Sequence, residues 1–205
     1  EGAIEYFANG NEVLKKDVEY LVNVFTDAKE YGSAIKITPV DFNSLKKRLL
    51  EVNADIHISK ELVMSSILPL VKVSEVLSQK YEAVVTNPPY RGIGDVAPKL
   101  QDFVKMHYPY SYSDLSTVFM ERCLEMTEKQ GYVAMINIPV WMSLASYKDL
   151  RDRFILNTNI INMLHLGRGM FGSDYGTTAF VVSNRNLLNY TAVYKKFFKK
   201  QVSVE

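Results

Sequence analysis

Residues 81–92 read Tyr-Glu-Ala-Val-Val-Thr-Asn-Pro-Pro-Tyr-Arg-Gly, and two adjacent prolines directly behind an apolar run leave few foldings open. The run ending at Thr86 predicts a short buried strand, being β-branched, apolar and of strand length. Pro88 and Pro89 fix φ twice and remove two backbone donors, so pairing stops there. Asn87 precedes proline and is driven to extended geometry. The strand is therefore expected to end in a stiff bracket at the carboxyl edge of a sheet, where open α/β sheets bind ligands. That bracket carries the Asn87 amide, the Pro88 carbonyl and the Tyr90 ring.

Such a bracket suits an amine conjugated to an aromatic ring. The nitrogen there is a poor nucleophile because its lone pair is delocalised. The Asn87 side-chain oxygen and the Pro88 carbonyl can accept both amino hydrogens and favour a more tetrahedral, reactive nitrogen, while Tyr90 stacks on the ring. This is positioning plus electrostatics and needs no charged base. A base in a duplex would have to be flipped out to reach the bracket, and aromatic stacking offsets part of that cost. The bland reading, a proline turn without function, fits poorly with a strand that runs straight into it.

A chain of 205 residues with 47% hydrophobic content can bury one sizeable core, which predicts a single domain over 1–205. The net charge of +1 exerts no global pull on nucleic acid, so a basic surface for DNA must be local. One cysteine, Cys123, excludes a disulfide framework and fits a reducing cytosol; its apolar helical setting predicts a packed thiol. His57, His107 and His165 lack ligand spacing, and no metal site is expected. No run has the length and apolarity of a membrane span. The chain opens on Glu1 rather than methionine, as an excised piece would.

Residues 1–80 are expected to form a helical lead-in with one strand. An amphipathic helix is predicted over 11–30, a strand over 33–38 stopped by Pro39, and a helix capped by Asp41. Another helix follows Ser59 over 60–80, divided at Pro69. Residues 91–113 read as a long loop holding Gly92, Gly94, Tyr108, Tyr110 and Tyr112, and long loops tend to be functional. A lone Gly-x-Gly after two prolines signals flexibility beside a site rather than a nucleotide loop. Arg91, Lys99 and Lys105, with those tyrosines, are candidates for contact with DNA backbone or bases, with ordinary packing as the alternative for each. Asp114 is the predicted N-cap of a helix closed by Lys129-Gln130-Gly131. Strands are predicted over 132–138, 160–166 and 177–183, with a helix over 147–156. The last segment, 185–205, is a basic tail or edge strand.

Asn87-Pro88-Pro89-Tyr90 after an apolar strand resembles the catalytic motif of amino-group methyltransferases that use S-adenosylmethionine, above all those acting on adenine in DNA. Residues 28–33, 108–115, 121–124 and 164–167 resemble the PglX-type adenine methyltransferases of BREX phage-defence loci, to which large restriction-modification enzymes are related. The resemblance runs from about residue 17 to 195. It implies an α/β fold of the class I, Rossmann-like kind, with a mostly parallel sheet flanked by helices. It implies S-adenosylmethionine as cofactor, a flipped adenine of double-stranded DNA as substrate, a bacterial cytoplasmic setting and contact with other defence proteins. Asn87, Pro88, Pro89 and Tyr90 become the catalytic residues. Phe171 matches by position an aromatic beside the flipped base, and Trp141 either borders the target pocket or is core. Asp41 is either the helix cap or a contact to the cofactor's adenine.

The pattern also departs from the family. No strand with a glycine-rich turn precedes residue 33, so the first cofactor-binding strands are missing and the 205 residues are expected not to bind the donor. A truncated sheet leaves an exposed edge, which favours self-association. Two other readings stay open: a protein-glutamine methyltransferase, which shares the bracket, and a non-catalytic DNA-binding domain that kept the fold.

Overall fold

The structure, a computed structural model, describes residues 2–170 and 176–199, arranged as two compact units, 1–79 and 80–205. The first unit is helical. It contains α1 (Gly2–Ala8), α2 (Glu12–Val24), α3 (Ala28–Tyr31), α4 (Phe42–Ala54) and α5 (Lys60–Ser78). Asn9 and Gly10 have positive φ and break the chain between α1 and α2; the Asn11 side chain then caps α2 by accepting from the backbone N–H of Val13 and Leu14. Phe7, Val18, Leu21, Leu45, Val63 and Val71 form its buried interior. Arg48 on α4 donates to the carbonyls of Phe7 (2.7 Å) and Tyr6 (3.2 Å), satisfying acceptors that the end of α1 leaves open.

Several local expectations change here. The helix predicted over 11–30 is divided into α2 and α3. The strand predicted over 33–38 does not form: after a 3-10 turn the backbone is extended with no ladder partner, and it is held by burial of Ile35 and by Thr38 N–H donating to the Tyr20 hydroxyl at 2.7 Å. Extended residues without a neighbouring strand make no sheet. Pro69 does not divide α5, which runs through it unbroken.

The second unit holds the sheet: β1 (Tyr81–Thr86), β2 (Thr127–Asn137), β3 (Asn159–Gly167), β4 (Thr177–Ser183) and β5 (Val193–Lys196), with α6 (Pro98–His107), α7 (Leu115–Met126) and α8 (Lys148–Asn157) between strands. The strand order is β1-β2-β4-β3-β5. The α/β class with a helix-flanked, mostly parallel sheet is as expected: β1, β2, β3 and β5 point the same way, and among the described strands β4 alone runs against them. β1–β2 and β3–β5 are parallel, while β4 runs antiparallel to both β2 and β3. Nine residues separate Gly167 from Thr177, fewer than the dozen or so that a parallel crossover requires, so β4 must return antiparallel.

One face of the sheet packs under α7 and α8. Val133 sits opposite Val182 and Met135 opposite Phe180, and these join Met120, Cys123, Leu150 and Phe154 in one apolar cluster. Trp141 lies in that cluster, edge-on to Phe154 (5.5 Å) and Phe180 (6.0 Å), so the core reading of this residue holds. The other face is open in part. Val85 is 76% exposed and Tyr132 43% exposed, and the expected burial of β1 fails because α7 covers only one side of an edge strand.

Two boundaries also move. The loop predicted over 91–113 contains α6, which starts with Pro98 in its first turn and buries Val104. The i, i+4, i+8 spacing of Leu100, Val104 and Tyr108 carries that helix. α7 ends at Met126 rather than near residue 130, and β2 begins at Thr127. Gly131 is required by packing, not by capping: a Cβ there would lie 2.6 Å from the Glu82 carbonyl oxygen.

Candidate active site

Strand direction decides what can meet. The carboxyl ends of β1, β2, β3 and β5 and the amino end of β4 all lie on one edge of the sheet. That edge therefore gathers residues 87–91, 137–142, 165–170, 176–178 and 196–199.

At the end of β1, Pro88 is buried, Asn87 and Pro89 are exposed, and Tyr90 is half-buried. The buried proline anchors the bracket and leaves the amide outside. The Tyr90 hydroxyl donates to Asn87 Oδ1 at 2.6 Å, so the acceptor expected to receive an amine is already engaged by its own neighbour. Burial raises the Tyr90 pKa, which keeps that hydroxyl a donor.

The bracket is tied down from behind. Leu115 N–H donates to the Arg91 carbonyl (2.9 Å) and Ile93 N–H to the Ser113 carbonyl (3.0 Å), around a bridge between Gly92 and Asp114. Asp114, 6% exposed, caps α7 by accepting from Ser116 N–H at 2.8 Å and from the Ser116 hydroxyl at 2.6 Å. Asn137, at the end of β2, donates to the Ser116 carbonyl (3.2 Å), accepts from Ile138 N–H (2.7 Å), and its carbonyl accepts from the Thr178 hydroxyl (2.9 Å). These buried bonds join α7, β2 and β4 to the loop behind Tyr90. Sequence reading assigned Asp114 its cap but missed Asn137 and Thr178, whose signal was a polar residue inside an otherwise apolar strand.

The other candidates lie as follows. Arg91 donates to the Asp95 carbonyl at 2.7 Å. Lys99 and Lys105 are exposed on α6. Tyr108 is fully buried, so it packs rather than contacts a partner; burial pushes its phenol pKa well up. Tyr110 lies under the Arg153 guanidinium, 3.8 Å from its ring centre, and lines a cavity of about 230 Å³. Residues Thr158 and Asn184 of that cavity place it at the amino edge of the sheet, away from the bracket. Asp41 caps α4, accepting from the N–H of Asn43 and Ser44 and from the Ser44 hydroxyl. Phe171 lies outside the described residues. Cys123 is buried and its thiol pKa is pushed up to about 11 by burial. His57 stacks on Tyr6, His107 sits against Phe103 and His165 against Phe198, and no group of three metal-ligating side chains occurs among the described residues. No helix among them is long and apolar enough to cross a membrane.

The site thus presents an exposed amide and a half-buried phenol ring, braced from behind, at the carboxyl edge of an α/β sheet. Residues 9–171 match the Eco57I restriction-modification methylases, and the chain belongs to that family. It is 34% identical over 202 residues to the adenine-specific methyltransferase BrxX of Escherichia coli O9:H4 (strain HS), covering 95% of this chain and 16% of that protein. It is 44% identical over 131 residues to the adenine-specific methyltransferase PglX of Lacticaseibacillus casei (strain Zhang), covering 62% of this chain and 11% of that protein. Among solved structures, a nuclease-deletion mutant of the Type ISP restriction-modification enzyme LlaGI, in complex with a DNA substrate mimic, aligns at a TM-score of 0.49 and 13% identity, over 73% of this chain and 17% of that one. The chain thus spans less than a fifth of the length of the curated relatives it matches.

Proposed function

We propose that the protein to which this chain belongs is an adenine-specific DNA methyltransferase of the restriction-modification and BREX type, acting in the bacterial cytoplasm. The observation that carries the reading is Asn87-Pro88-Pro89-Tyr90 standing open on the carboxyl edge of the sheet with Pro88 as its buried anchor. Asn87 Oδ1 and the Pro88 carbonyl accept the two hydrogens of an adenine amino group and draw its nitrogen toward tetrahedral geometry. The Tyr90 ring covers one face of the flipped base, and Phe171 is the proposed cover for the other. A base with two flat faces uses both aromatics, which favours adenine over a glutamine side chain. Arg91, Lys99 and Lys105 are proposed to meet the DNA nearby.

S-adenosylmethionine is the methyl donor this reading implies. Gly92 and Gly94 follow β1 behind two prolines, whereas Gly167 and Gly169 lie at and just beyond the end of β3, and the space a Cβ would take at Gly167 is filled by the Phe198 ring. The latter pair does not fit a donor cradle, and the residues described here account for the acceptor side only.

The test is made on the full-length protein with duplex DNA and S-adenosylmethionine, counting N6-methyladenine by mass spectrometry. Asn87→Ala is expected to lower kcat by about 10²- to 10³-fold, the usual effect of removing one preorganised polar contact. An Asn87→Ala protein that methylates DNA at the wild-type rate, or a wild-type protein that methylates glutamine in protein and not DNA, overturns the assignment.

A further inference from the structure

The charge of the chain is unevenly placed. Residues 153–200 contain seven lysines and arginines against the single acid Asp174, although the whole chain carries a net charge of only +1. Three of those lysines, Lys195, Lys196 and Lys199, are exposed on and just beyond β5.

This basic end is held in place. β5 pairs parallel with β3, with Lys195 opposite Leu164 and Lys196 opposite His165. Beyond the strand, Phe197 N–H donates to the His165 carbonyl at 3.0 Å. The Phe198 ring sits edge-on to His165 at 4.8 Å and occupies the space above Gly167, where a Cβ would come within 2.9 Å of it. Gly167 has a φ of +87°, so its lack of a side chain serves both the backbone turn and the seat for the ring. Lys196 Nζ lies 4.5 Å over the same ring. The segment is a docked strap, and its backbone carries three lysines to one rim of the sheet.

That rim is the one that carries the bracket. β1 and β5 are the two outer strands, four interstrand steps apart, or about 19 Å at ~4.8 Å per step. At ~3.4 Å per nucleotide along a strand of B-DNA, that distance is roughly five to six base pairs. Lys195 and Lys196 are neighbours on a strand and point to its opposite faces, with Lys199 just beyond, so their exposed ammonium groups flank the strand end. Point charges of this kind suit a nucleic-acid backbone, which is bound without reading sequence.

We propose that Lys195, Lys196 and Lys199, pinned by Phe198 in its seat on Gly167, bind the phosphate backbone of the substrate duplex roughly five to six base pairs from the base at Tyr90. The proposal rests on the DNA methyltransferase reading above. The strap holds the duplex across the sheet edge so that the flipped base is delivered at the opposite side.

The experiment compares full-length wild type, the triple variant K195Q/K196Q/K199Q and Phe198→Ala for binding to a methylatable duplex between 50 and 300 mM salt, with methylation measured at saturating DNA. Each lost phosphate contact removes about 0.9 from the slope of log K against log salt, so the triple variant is expected to be shallower by between about 2 and 3. Its affinity should fall at least tenfold at 0.1 M salt, while kcat stays within about twofold because none of the three touches the bracket. Phe198→Ala keeps every charge yet should also weaken binding, since the lysines are no longer held. A wild-type slope in the triple variant, with wild-type methylation intact, overturns the proposal alone. A wild-type protein that leaves duplex DNA unmethylated overturns the underlying reading first.

Discussion

The contact between Tyr90 and Asn87 makes an unusual prediction for a hydroxyl-deleting substitution. The Tyr90 hydroxyl lies 2.6 Å from Asn87 Oδ1 on an exposed amide. A net hydrogen bond of this kind contributes roughly 0.5–1.5 kcal/mol, and exposure to water places this one toward the lower half of that range. An incoming adenine amine must displace it or crowd onto the second lone pair of the same oxygen. Tyr90→Phe keeps the ring, hence the stacking surface, and removes the competitor. At about 0.5–1 kcal/mol the gain is about two- to fivefold, since ~1.4 kcal/mol corresponds to tenfold. In steady-state assays on the full-length protein, KM for DNA should fall by about two- to fivefold with kcat within about twofold. Tyr90→Ala serves as the contrast: it loses a base–aromatic stack worth about 1–3 kcal/mol and should weaken DNA binding about five- to hundredfold. A Tyr90→Phe protein with kcat/KM reduced tenfold or more would refute the reasoning, because the hydroxyl would then be needed to aim Asn87 or to touch the substrate.

Two further outcomes follow from packing. Gly131→Ala places a Cβ 2.6 Å from the Glu82 carbonyl and 2.7 Å from Thr127 Cγ2, so β1 must shift away from β2; a loss of about 1–3 kcal/mol is expected in denaturant titration. Cys123, with its thiol pKa raised to about 11, should resist alkylation in the native state at pH 8, and its reactivity should climb about tenfold per pH unit until near that value. The linked stability effect has a definite sign. Below the unfolded thiol value of about 8.5 both states are protonated, whereas between there and about 11 the unfolded state loses its proton first, so stability falls as pH rises through that window.

How much of this was legible beforehand depended on the range of the interactions involved. Asp41 and Asp114 were readable as N-caps because a cap bonds within three residues of itself. α6 was missed although Pro98 and the Leu100, Val104, Tyr108 spacing announced it, because the glycines and tyrosines around it read as loop. The helix end placed near Gly131 was wrong for a different reason. That glycine answers to the Glu82 carbonyl on a neighbouring strand, and nothing within a few residues of it reports such a contact.

The chain by itself determined where a strand must stop and what stands at its end, since proline stereochemistry acts on adjacent residues and needs no partner. It also determined the apolar runs of β2, β3 and β4 and the dense charge near the end of the chain. Tertiary structure alone decided that β4 lies antiparallel between β2 and β3, that Val85 faces outward, that Tyr90 occupies the Asn87 acceptor, and that Phe198 fastens the basic strap to Gly167. Those facts arise from pairing and close approach between segments tens of residues apart, and local preference carries no information about which segments will meet.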